Sequence, residues 1–201
     1  MRVLLILALV YMPLTVSAVT LDFEDLSEAT LVTDQYLSLG VSFERAGVLT
    51  AGFTLLEWEF PPHSGSNVIF DDGGPLTIRF TGPATQVETY ITYAAPVTFT
   101  FYDSAQLEVG SLTSAFGCNM TLSGEVGASP NELFIFTWQE GISTLVITGD
   151  PAGTSFTLDD LTITTVPEVP SLIPLSAGVV LILLTYRLKR KILLPSRRSA
   201  L

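Results

Sequence analysis

Two sets of carboxylates and one mixed stretch are the parts of this 201-residue chain equipped for chemistry. Glu24 and Asp25 stand near the start of the chain's middle region, and Asp159 and Asp160 near its end. If the first and last strands of the body are neighbours, these four carboxylates meet. Calcium takes six to eight oxygens from carboxylates and backbone carbonyls in a flexible geometry. A structural Ca²⁺ tying first strand to last is one expectation. Solvated strand ends on an acidic protein are the other.

The mixed stretch is residues 58–75, WEFPPHSGSNVIFDDGGP. It joins Trp58 and Phe60 to the single histidine, His63, to Ser64, Ser66 and Asn67, and to Asp71 and Asp72. An aromatic face packs on the C–H surface of a sugar while amides, hydroxyls and carboxylates fix its hydroxyls. Trp58, His63, Asn67 and Asp71 are therefore candidate ligand contacts. The alternative is a rigid loop, with Pro61-Pro62 fixing the backbone and Gly73-Gly74 turning it. As catalytic equipment the stretch is poor, because neighbours such as His63 and Ser64 do not aim their side chains at one another as nucleophile and base. Glycoside hydrolysis needs two carboxylates at a set separation, and among twenty acids some pair always fits. The chain has no Gly-rich phosphate loop, no HExxH and no cysteine–histidine metal spacing. Cys118 is the lone cysteine, so no disulfide within the chain holds it together. Asn119-Met120-Thr121 has the form of a glycosylation sequon, read here as incidental, and Trp138 reads as a core or edge aromatic.

The elements that position these residues are strands. Between residues 19 and 165, β-branched and aromatic residues alternate in short runs broken by Gly, Pro, Asn and Asp. The pattern predicts strands at 20–23, 41–45, 52–57, 67–70, 76–81, 85–93, 97–102, 107–114, 135–137, 144–149 and 156–165. Strands at this spacing without intervening helices predict an all-β antiparallel β-sandwich of the jelly-roll kind.

Charge divides the chain. Residues 22–168 hold all twenty carboxylates against Arg45 and Arg79, a net −18, while six of the remaining basic residues follow Tyr186. Such a body repels nucleic acid. At the N-terminus, Arg2, the apolar run 3–10 and Val16-Ser17-Ala18 read as an export signal over residues 1–18, cleaved to leave Val19 first. At the other end a proline break (Pro167, Glu168, Pro170) precedes an uncharged run from Leu172 to Tyr186, fifteen residues or about 22 Å as helix. Arg187, Lys189, Arg190 and Lys191 follow as a stop, predicting an apolar helix at about 171–188 and a cytoplasmic tail at 192–201.

This tail, residues 166–191, resembles the PEP-CTERM sorting signal of Gram-negative bacteria that make exopolysaccharide. It differs in one inserted residue, reading Pro167-Glu168-Val169-Pro170, and in the ten residues after the basic cluster. The resemblance implies an exosortase-type membrane peptidase as partner and an inner-membrane anchor before processing. It implies the cell envelope or extracellular surface afterwards. The body resembles β-sandwich ectodomains of such proteins at Leu21-Asp22-Phe23-Glu24-Asp25-Leu26, at Thr33-Asp34-Gln35-Tyr36 with Leu39-Gly40-Val41-Ser42-Phe43, and at Phe156-Thr157-Leu158-Asp159-Asp160-Leu161. It is similar in the same way to jelly-roll carbohydrate-binding and lectin-like modules. The expectation is a non-enzymatic surface protein of the exopolysaccharide matrix. A carbohydrate-binding module with a structural calcium and a secreted glycan hydrolase are its rivals.

Overall fold

The computed structural model describes residues 16–165. Residues 1–15 of the export signal expected at 1–18, and the sorting motif, apolar helix and basic stop expected beyond 165, lie outside the described residues; Ser17 and Ala18, expected as the end of that signal, are the start of a strand that pairs with Thr165 and Thr164.

The described chain is all-β, and every pairing between its strands is antiparallel. The strands are β1 (Ser17–Leu21), β2 (Leu31–Val32), β3 (Val41–Glu44), β4 (Ala46–Thr50), β5 (Asn67–Asp71), β6 (Leu76–Tyr93), β7 (Thr98–Tyr102), β8 (Glu108–Thr113), β9 (Glu132–Thr148) and β10 (Phe156–Thr165). A 3₁₀ turn at Leu37–Leu39 is the only helical piece among the described residues. The hydrogen-bonded order is β2-β4-β5-β10-β6-β9-β7-β8, with β1 on β10 and β3 on β6. First and last strands are thus partners, Ser17 opposite Thr165 and Leu21 opposite Leu161.

Alternation explains most of these strands. Leu76, Ile78 and Phe80 of β6 are buried between Thr77, Arg79 and Thr81, and Phe99 and Phe101 of β7 are buried likewise. β6 and β9 are long because each serves two layers. The first part of β6 pairs with β3, while its later part pairs with β10. The last part of β9 pairs with β7, yet Phe134 and Phe136 from its first part stack on Phe99 and Phe101 of β7, with ring centroids 4.1 and 4.0 Å apart. The sheet therefore folds over, and its inner faces meet through aromatic pairs worth about 0.5–1.5 kcal/mol each beyond the area they bury.

Three expected boundaries are corrected. Gly82-Pro83 does not end a strand: the β6–β9 register slips between Arg79 and Ala84, so the missing N–H of Pro83 breaks no regular ladder. The runs 135–137 and 144–149 join in β9, which bends at Gly141 (φ 101°). The stretch 52–57 is a turn, because Gly52 takes φ 80° and the amides of Phe53 and Leu55 both return to the Thr50 carbonyl. β4 takes its place one segment earlier. Its Gly47 is a poor strand former, but a Cβ there would run into the Phe70 ring on the paired strand.

Candidate functional site

The two acidic clusters converge on one loop rather than on one another. That loop, residues 51–66, joins β4 to β5 and contains His63. Glu24 Oε1 accepts the amides of Ser66 (2.8 Å) and Asn67 (2.7 Å). Gly65 (φ 54°) lies so close to the Glu24 carboxylate that a Cβ would overlap it. From the other side Asp159 Oδ2 accepts the amides of His63 (2.7 Å) and Ser64 (2.9 Å). Asp160 takes the His63 Nδ1–H on Oδ2 at 2.6 Å and the Ser64 hydroxyl on Oδ1 at 2.9 Å. The His63 ring lies flat on Tyr90, 3.4 Å between centroids and 8° between planes.

A bulge makes this division possible. Between Asp159 and Thr162 the β10 register slips by one residue against β6, with Asp160 at φ 47°. The slip lets Leu158 and Leu161 both reach the core, and adjacent carboxylates grip adjacent residues of the loop. Asp159 is 2% exposed. Burial, helped by the Asp160 charge, pushes its carboxyl up to about 6, against the pull of the amides it accepts.

Of the four carboxylates expected to share a calcium ion, Asp25 stands apart and accepts the Tyr36 hydroxyl. Burial and this contact raise the Tyr36 phenol well above its ordinary range. Among the described residues no three His, Cys, Asp or Glu side chains converge on one ion position. Glu24 Oε1, Asp25 Oδ1 and both oxygens of Asp159 and Asp160 accept N–H or O–H donors, and the first strand is tied to the last by their antiparallel pairing.

The ligand contacts expected at 58–75 separate into two groups. Asn67 and Asp71 are structural. Asn67 donates to the carbonyls of Phe23 (2.8 Å) and Leu26 (2.9 Å) and accepts the Thr50 hydroxyl (2.6 Å). Asp71 is fully buried and accepts the amides of Ser155 (2.8 Å) and Phe156 (3.2 Å) and the Ser155 hydroxyl (3.0 Å), so it anchors the start of β10. Burial raises its carboxyl above the ordinary aspartate range. Trp58 is 56% exposed, and the His63 side chain is partly exposed. Ser64 gives its hydroxyl to Asp160, the same carboxylate that holds His63. Asn119 of the sequon is buried too, accepting the Tyr93 amide at 2.6 Å and donating to the Ile91 carbonyl at 3.0 Å.

Beside this anchored loop lies a cleft of about 190 Å³. Its apolar wall is Phe60, Phe70 and Phe156 with leucines 49, 55 and 56; Thr54, whose hydroxyl donates to Glu28, Thr154 and Thr157 complete the lining. Phe53, Leu56 and Trp58 of the same loop are more than half exposed. Phe60 belongs to the stretch singled out in the sequence. Phe70, Phe156 and Thr157 read there only as strand residues, because nothing local shows that β5, β10 and a distant turn enclose a space.

The fold and the anchored loop define the class: an all-β antiparallel domain with an aromatic-lined cleft. No family model matches the chain, and no curated protein matches it. Among solved structures the chain is similar to the K2 cleaved adhesin domain of Lys-gingipain, at 16% identity and TM-score 0.46, over 74% of this chain and 100% of that one. It is also similar to a DUF4465 family protein from Bacteroides caccae (14%, TM-score 0.45, 73% and 98%). A third is a family 11 carbohydrate-binding module from Clostridium thermocellum in complex with a β-1,3-1,4-mixed-linked tetrasaccharide (10%, TM-score 0.36, 73% and 94%). Likeness at this level carries nothing about ligand or activity.

Proposed function

We propose that this chain is an exported surface protein whose jelly-roll-like β-domain binds polysaccharide of the extracellular matrix without catalysis. The observation that carries the reading is the cleft. Phe60, Phe70 and three leucines line it together with Thr54, Thr154 and Thr157, so apolar surface and polar side chains occur side by side, as a pyranose ring requires. At about 190 Å³ the space exceeds an apolar cavity of roughly 150 Å³ known to take benzene, so one six-membered ring fits. Trp58 and Phe53, exposed on the same loop, extend the apolar surface beyond the cleft. The reading draws no nucleophile from His63 and Ser64, because the Ser64 hydroxyl donates to Asp160 and not to the imidazole.

Address completes the reading. The signal read at 1–18 and the PEP-CTERM-like tail at 166–191 support export, an inner-membrane anchor and an exosortase-type peptidase as processing partner. The carboxylates at which a structural calcium was expected accept amide and hydroxyl donors, and polysaccharide binding at the cleft requires no cation.

The test is affinity electrophoresis of the full chain in detergent through gels holding soluble polysaccharides, including that secreted by its own host. The parent is expected to be retarded by at least one glycan. Removing a ring that buries against the sugar costs about 1.5–3 kcal/mol, so Phe60→Ala should weaken binding roughly tenfold or more. No retardation by any glycan, or Phe60→Ala behaving as the parent, overturns the reading.

A further inference from the structure

We infer that the cleft selects polysaccharide without acidic groups and rejects chains that carry carboxylate, sulfate or phosphate. The inference rests on the cleft being the glycan site and adds what its surroundings require of that glycan. An acidic sugar is held by Arg or Lys, whose N–H donors meet the anion and neutralise it. None of the described residues lining the cleft is basic.

The described residues hold three basic side chains, and each is engaged elsewhere. Arg79 of β6 pairs with Glu44 of β3 at 3.0 Å. His63 Nδ1 lies against Asp160 at 2.6 Å. Arg45 donates to the Gly73 carbonyl at 3.5 Å, and its own carbonyl accepts the amide of another acid, Asp72, at 3.0 Å.

Carboxylates, in contrast, stand at the cleft. The Thr54 hydroxyl of the lining donates to Glu28 Oε1, and Glu28 Oε2 is buried with no hydrogen-bond partner among the described residues. Glu28 joins neither of the two ion pairs among those residues. Salt screens a partly buried charge much less than an exposed one, so this carboxylate keeps its field behind the wall. Glu57 and Glu59 add two more between Leu56 and Phe60 of the lining, Glu57 exposed and Glu59 half-buried. The body around them carries a net −18 between residues 22 and 168. Low-dielectric walls lined by one sign of charge focus such a field on whatever enters. An acidic sugar entering here is repelled and meets no cation, whereas an uncharged pyranose pays nothing to the field.

Carboxylate and carboxamide differ in charge at nearly equal shape, so matched polysaccharides separate charge from fit. The probes are pullulan, hydroxyethylcellulose and the host's secreted polysaccharide. Each is used native, with primary hydroxyls oxidised to carboxylates, and with those carboxylates then amidated. Binding to the full chain in detergent is read by isothermal titration. In low salt the amidated form should bind at least roughly tenfold tighter than the carboxylate form of the same backbone, because like charges brought together on binding oppose it. The gap should close in about 1 M salt, where the Debye length is about 3 Å. Glu28→Gln, folded by circular dichroism, keeps an acceptor for Thr54 without the charge and should narrow the gap. Equal affinity for the two forms (loss of both alike included), tighter binding of the carboxylate form, or a gap that neither salt nor Glu28→Gln alters overturns this inference and leaves the cleft reading standing. No binding of any native polysaccharide overturns the cleft reading, and this inference with it.

Discussion

Mild acid should stabilise the β-domain, and Asp159 should supply a share that can be isolated. Its carboxyl is 2% exposed and titrates at about 6, against about 3.9 in an unfolded chain. Because the folded value is the raised one, the folded chain takes up the proton first. The stabilisation is complete below the unfolded value and is lost as pH rises through about 6. About two units at 1.36 kcal/mol each give roughly 3 kcal/mol over the full range, of which about 1 kcal/mol appears between pH 7 and pH 5. The assay is urea unfolding of the full chain in detergent at pH 7, 6 and 5, for the parent and for Asp159→Asn. The amide does not titrate, and its loss of an acceptor for the His63 and Ser64 amides is an offset independent of pH. Relief of repulsion among carboxylates remote from this loop affects both proteins and cancels in the comparison, whereas the Asp159–Asp160 repulsion belongs to the difference being measured. The parent should gain about 1 kcal/mol more than Asp159→Asn on going from pH 7 to pH 5. Parallel curves, or a parent that loses stability relative to the variant, would refute the reasoning.

Two further outcomes follow from the packing. Asp71→Ala removes the acceptor for two amides and a hydroxyl, and at about 1–3 kcal/mol for each buried group left unpaired it should cost at least about 3 kcal/mol, read as a lower urea midpoint. A shift below about 1 kcal/mol would show that water reaches this carboxylate. Gly47→Ala forces the Phe70 ring off β4 and into the cleft, so it should cost about 1–3 kcal/mol and weaken glycan retention along with stability. Loss of stability with retention unchanged would separate Phe70 from the binding surface.

Much of the body was legible in the sequence because alternation is local. Leu76-Thr77-Ile78-Arg79-Phe80 and Phe99-Thr100-Phe101 state which side faces the core. The pairing of first strand with last also held, while the donors that their acidic clusters accept were not legible. Glu24 and Asp159 meet donors 42 to 96 residues distant in the chain, and carboxylates bound to backbone amides look in sequence like carboxylates awaiting a cation. Asn67 and Asp71 misled for the same reason, since a polar residue serving the core and one serving a ligand share a composition and differ only in burial. The bulge at Asp160 and the passage of β6 through Gly82-Pro83 depend on register with a partner strand, which no single segment carries.

The most direct test of the binding account is hydrogen–deuterium exchange on the full chain with and without the glycan that retards it. The cleft reading expects protection in peptides holding Leu49, Phe60, Phe70 and Thr157, with the exposed apolar residues Leu133 and Ile135 of β9 unchanged by the glycan. Protection confined to Leu133 and Ile135, or none in the cleft at saturating glycan, would contradict it.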